Sequence, residues 1–114
     1  MFNQQNCLYF NMRCYGFIEY KNNVEWNLSN KFLLDSDFFI DCERVGLPID
    51  VSDSVLEFNK GTAHLHSYLT YNQFKTLIEN KEFVEIKYQM ILSFMRCFEE
   101  VKCPARLIFW SVIV

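Results

Sequence analysis

A chain of 114 residues, 51% hydrophobic and 18% aromatic, has the length of about one domain and ample apolar side chains for a core, which excludes intrinsic disorder. Three glycines and two prolines do not suit long structureless loops. A net charge of −3 is opposite in sign to the basic footprint that phosphate backbones require, so no direct nucleic-acid contact is expected.

The first periodic block, residues 7–20, sets Leu8, Phe10, Met12, Cys14 and Ile18 on one parity and Tyr9, Asn11, Arg13 and Glu19 on the other. That alternation predicts a half-buried strand, with Gly16 marking a bulge. Lys21, Asn22 and Asn23 read as a turn, and Val24, Trp26 and Leu28 alternate with Glu25 and Asn27 in a second strand, so a hairpin is expected. Residues 31–46 fit two readings. As a strand, Asp35, Asp37, Phe39, Asp41 and Glu43 share a face; as a helix, Ser36 or Asp37 is the N-cap and Gly46 the stop. The strand is slightly favoured. Residues 49–58 and 62–69 read as two strands joined by a loop at 59–61.

Thr70 and Gln73 have the spacing of a capping box, and Leu69 with Phe74 that of a hydrophobic staple, which predicts a helix over about 71–80. Over 83–101 the polar residues Glu85, Gln89, Ser93, Arg96, Glu99 and Glu100 gather in one arc at helical spacing. The apolar face expected to pack on the core comprises Phe83, Ile86, Met90, Phe94, Cys97, Phe98 and Val101. The final run, residues 107–114, is too short to span a membrane as a helix and reads as a buried strand after Pro104. Strands followed by two helices and a last strand predict a single α+β domain over 1–114. Its sheet is mainly antiparallel, of five or six strands, with both helices packed on one face.

Several chemistries are weighed against this frame. Five cysteines, an odd number without Cys-x-x-Cys spacing, read as reduced thiols of a cytoplasmic protein, since no hydrophobic signal segment opens the chain. His64 and His66, two apart on an expected strand, share a face but lack the third and fourth ligands of a zinc site. Gly16, Gly46 and Gly61 are too isolated to form a phosphate cradle. Glu85 and Lys87 have the Glu-x-Lys form that resembles the restriction-endonuclease-like core motif. With Asp50 and Asp53 upstream, that resemblance implies a metal-dependent nuclease. The departures are a helical setting for the motif and a short chain without basic clusters. No cofactor and no resident metal is expected, and the chain is read as not an enzyme.

The charge layout carries the leading reading. Between Asp35 and Glu57 seven acidic residues stand against Arg44 alone, a balance of −6, while the remaining ten basic and seven acidic residues balance at +3. Such polarity steers a basic partner. The expected partner-binding residues are Asp35, Asp37, Phe39, Asp41, Glu43, Asp50 and Asp53, with Phe39 as the apolar anchor. In size, acidity, single-domain economy and lack of a catalytic motif, the sequence resembles small immunity proteins of bacterial toxin–immunity pairs. That resemblance implies a cytoplasmic, non-enzymatic inhibitor of a basic protein such as a nuclease toxin domain, with no membrane association. The alternatives are the nuclease and an oligomerising structural subunit that pairs through the C-terminal strand.

Overall fold

The apolar C-terminal run forms the middle of the sheet. In the computed structural model, which describes residues 12–58 and 63–113, strand β5 (Ala105–Ile113) pairs antiparallel with β1 (Met12–Asn22) on one side and β4 (Ala63–Thr70) on the other. β1 carries two shorter antiparallel neighbours on its far edge, β2 (Glu25–Leu28) beside residues 19–22 and β3 (Phe32–Leu34) beside residues 14–16. Ser29 fills the gap between them, its Oγ accepting from the Ile18 amide at 2.8 Å and its own amide donating to the Ile18 carbonyl at 2.9 Å. The result is a five-stranded antiparallel sheet. Because β5 is paired on both sides, the C-terminal strand offers no free pairing edge, which corrects the expectation of assembly through it.

Three helices complete the described fold: α1 (Asp53–Phe58), α2 (Tyr71–Glu79) and α3 (Ile86–Glu100). A short 3-10 turn, Ser36–Phe39, follows β3. Helices α2 and α3 lie on one sheet face, where Phe74, Tyr88, Ile91 and Met95 meet Cys14, Ile18, Leu107 and Phe109. The other face is also covered: Val55 of α1, with Leu47 and Val51, packs on Phe17, Ile108 and Trp110. Burial on both faces is why Ala105 to Ser111 are buried without alternation.

The local signals explain most boundaries. Thr70 Oγ1 accepts from the Gln73 amide at 3.3 Å while Gln73 Oε1 accepts from the Thr70 amide at 2.9 Å, so the capping box closes and α2 starts at Tyr71. α3 ends without glycine. Lys102 takes φ 64, its amide reaches the Glu99 carbonyl at 3.1 Å, and Cys103 reaches back to the Phe98 carbonyl at 2.9 Å, which is a Schellman closure.

Four expectations are corrected. Residues 53–58 are helix rather than strand, because Ser52 caps the turn by accepting from the Val55 amide. Gly16 makes no bulge; β1 stays in register with β5 throughout, and a Cβ at Gly16 would stand 2.9 Å from the Ile108 carbonyl oxygen and 2.7 Å from Leu34 Cδ1. Glycine is there for close approach. His64 and His66 do not alternate regularly, since Leu65 takes φ 54 and the register slips between His64 and Ser67. Residues 35–43 are a 3-10 turn and bends rather than strand or α-helix. The expectations for residues 7–11 and for the loop at 59–61 lie outside the described residues.

Candidate binding surfaces

The acidic loop is built around two phenylalanines. Phe38 stacks flat on Tyr88 of α3, with ring centroids 3.6 Å apart, and Lys81 Nζ sits 4.5 Å from the same ring. Phe39 is fully buried and stacks on Phe109 of β5 at 4.3 Å. Phe39 is therefore a core residue that pins the loop to the sheet. It is not a surface anchor, because the 3-10 turn rotates it inward, away from Asp37 and Asp41, whereas strand alternation would have set all three on one face.

Asp35 opens the loop and is locked. Its Oδ2 accepts from the Tyr88 hydroxyl at 2.9 Å and from Lys87 Nζ at 2.9 Å, and its amide donates to the Tyr88 hydroxyl at 2.8 Å. Partial burial pushes its carboxyl upward, but the Lys87 and Tyr88 contacts outweigh that and hold it below the ordinary carboxylate range. Burial, with the Asp35 carboxylate beside it, pushes the Tyr88 phenol far above its usual value. Asp37, Asp41 and Glu43 are exposed and make no side-chain ion pair among the described residues. Beyond them the chain straps the edge of β4: Gly46, at φ 84, donates to the His66 carbonyl at 3.0 Å, and Arg44 Nη1 donates to the Leu65 carbonyl at 3.1 Å. Such a strap blunts an edge that would otherwise pair.

Asp50 and Asp53 lie elsewhere, on the α1 side of the sheet. Asp50 Oδ1 accepts from Arg106 Nη1 at 2.8 Å, and its Oδ2 accepts from Trp26 Nε1 at 3.3 Å. The Arg106 contact holds the Asp50 carboxyl below its usual range. Arg106 also pairs with the fully buried Glu19, and its guanidinium lies 3.7 Å from the Trp26 ring centroid. Glu19 Oε2 accepts from the Ser52 amide at 3.1 Å. This network ties the 47–58 segment to the sheet. Sequence pattern had placed Glu19 on a solvent face; nothing local in β1 announced the cover. Asp53 is exposed at the start of α1. The seven acidic positions thus do not form one face: Asp35, Asp37, Asp41 and Glu43 belong to one loop, and Asp50, Asp53 and Glu57 to the segment that carries α1.

The nuclease constellation is not assembled. Asp50 is held by Arg106 on the α1 side, while Glu85 and Lys87 stand at the start of α3 on the opposite side, Lys87 bound to Asp35. Among the described residues no group of three or more His, Cys, Asp or Glu is placed to hold a metal ion. His64 is exposed; His66 is half-buried, and burial, then the charge of His64, pulls its imidazole below the usual range. Cys14 is buried, and that burial raises its thiol to about 11; Cys97 is exposed. No described helix is long and apolar enough to cross a membrane.

A second surface was not legible as such. α3 buries Tyr88, Ile91 and Met95, while Phe83, Ile86, Met90, Phe94 and Val101 remain 80%, 72%, 55%, 53% and 67% exposed. Most of the stripe read as core-facing is therefore the outer face of the helix; Phe83 precedes the helix beside Phe38 and Lys81, and only Phe98 of that set packs against the core. The apolar arc is wider than the sheet can cover, and the aromatic stack of Tyr88 on Phe38, with its hydroxyl on Asp35, selects which part of it turns inward. Ile86, Gln89, Met90, Ser93, Phe94 and Cys97 line a shallow groove of about 390 Å³ along the outer arc.

Fold and surfaces together define an α+β protein with a mainly antiparallel sheet, carrying an acidic loop and an uncovered apolar helix face. No protein-family model, curated protein or solved structure matches the chain.

Proposed function

We propose that this chain is a non-catalytic binding protein that meets a basic protein surface through the loop 35–43, as an immunity protein meets a nuclease toxin in the cytoplasm. The observation that carries the reading is the loop itself. Asp37, Asp41 and Glu43 are exposed and unpaired among the described residues, on a segment held from within by Phe38 and Phe39. A pre-ordered set of carboxylates loses little conformational freedom on binding, and like charges gathered on one loop attract a Lys- and Arg-rich cleft over several ångströms. Asp35 contributes by ordering the loop through Lys87 and Tyr88. Asp50 is occupied by Arg106 and is left out of the contact set.

The test is affinity capture from native cells with the wild-type chain and with Asp37→Lys/Asp41→Lys, followed by binding kinetics against the protein recovered. The expected partner is basic. Charge reversal should slow association by about tenfold or more and flatten its salt dependence, because steering acts on the on-rate. Equal rates for both chains would remove the loop from the interface.

A further inference from the structure

We infer that the outer face of α3 is a homodimerisation surface, on which a second copy of this chain packs antiparallel along Ile86, Met90, Phe94, Cys97 and Val101. This stands on residues other than the acidic loop and does not depend on it.

Area is the first argument. The exposed fractions of Ile86, Met90, Phe94 and Val101, applied to large apolar side chains, amount to on the order of 450 Å² along the outer face of α3. That is the size of the largest apolar patch on a typical monomer, which is often an interaction site. Two such faces laid together bury on the order of 900 Å², the size of a weak interface that forms only as concentration rises.

Charge is the second. The stripe carries no charged residue, and its polar border holds both signs, with Glu85 and Glu100 beside Arg96 and Lys102 just past the helix end. A basic partner gains nothing on such a face, whereas an identical copy meets no field of its own sign. A parallel pair would set Glu85, Arg96 and Glu100 each against its own like and align both helix dipoles; an antiparallel pair avoids both.

Register is the third. A two-fold axis passing between Ser93 and Phe94 places Ile86 opposite Val101 of the second copy and Met90 opposite Cys97 of the second copy. The two Phe94 rings meet on one side of the axis and the small Ser93 residues on the other. Each exposed apolar side chain of the helix then has an apolar counterpart, as an isologous contact requires. Ser93 needs nothing from the interface, because its hydroxyl already donates to the Gln89 carbonyl at 3.0 Å.

The test is analytical ultracentrifugation of the full chain over the low to high micromolar range, with alkylation of Cys97 followed by peptide mapping. The wild type should pass from monomer to dimer mass, and Cys97 alkylation should slow by about tenfold or more once the dimer forms, as expected for a thiol withdrawn from solvent. Met90→Glu and Phe94→Glu should each stay monomeric with Cys97 fully reactive, while circular dichroism and the thermal midpoint stay near wild type. Four outcomes overturn the inference: a monomer at every concentration, a dimer that survives both substitutions, Cys97 equally reactive in both states, or a monomer whose stripe binds neutral lipid vesicles instead.

Discussion

β5 and α3 both carry large apolar side chains along their length, and these have opposite fates. β5 is paired on both edges and covered on both faces, so Leu107, Ile108, Phe109 and Trp110 are all buried. α3 rests one arc on the sheet and turns a second, equally apolar arc to the outside. A strand in the middle of a two-sided sheet has no exposed direction left. A helix covering that sheet as the outermost layer always has one. Apolar composition therefore marks a core in β5 and an interface in α3.

The comparison breaks or holds on five measurements. The largest contrast is Phe109→Ala against Phe94→Ala. Removing the buried ring, stacked on Phe39, should cost about 3–5 kcal/mol in denaturant unfolding. Removing the exposed one should change monomer stability by less than about 0.5 kcal/mol. Equal losses would mean that α3 buries its outer arc within the same chain.

Arg106→Met tests the covered second face. It leaves Glu19 buried without its cation and should cost about 3–5 kcal/mol, and adding Glu19→Leu should recover much of that. A mild single-mutant effect would mean that the 47–58 segment opens readily and lets water reach Glu19.

Gly16→Ala sharpens the same point at the β1–β5 contact. A methyl group there meets the Ile108 carbonyl oxygen and Leu34, so about 1–3 kcal/mol of destabilisation is expected, measured by urea midpoint.

Asp35→Asn addresses the α3 side. The folded-state carboxyl is held below its ordinary value, so its contribution is present above about pH 4 and lost as pH falls below that. The variant should be less stable than wild type at neutral pH, and the gap should narrow in acid. Asp35 is about half exposed, so solvent screening keeps the effect small. A gap that widens in acid would contradict the assigned direction.

The smallest effect is a gain. Lys102→Gly relieves the left-handed residue that closes α3 and should stabilise by up to about 1 kcal/mol, read as a raised thermal midpoint. A loss there would show that the Lys102 side chain contributes more than its backbone costs.

Much of the fold was legible because its signals are local. The Thr70–Gln73 box needs only four residues to close, and the alternation of β1 and the unbroken apolar run of β5 reflect a period the backbone imposes. Residues 53–58 misled because six residues are too few for periodicity to separate strand from helix. The acidic residues were legible as a charge imbalance but not as a surface. Arg106, distant in sequence, claims Asp50, and Lys87 claims Asp35.

The sequence by itself determined an α+β architecture, the start of α2, the helical course of α3 and a polarised charge distribution. Each follows from interactions within a few residues or from a simple count. Only the tertiary structure decided that Phe39 turns inward onto Phe109, that Glu19 is sealed beneath the 47–58 segment, and which arc of α3 faces out. Those outcomes depend on partners 33 to 87 positions away, such as Ser52 and Arg106 for Glu19 and Tyr88 for Asp35. A helix whose apolar arc is wider than the face it buries holds no local preference for which part is buried; the packed neighbours make that choice.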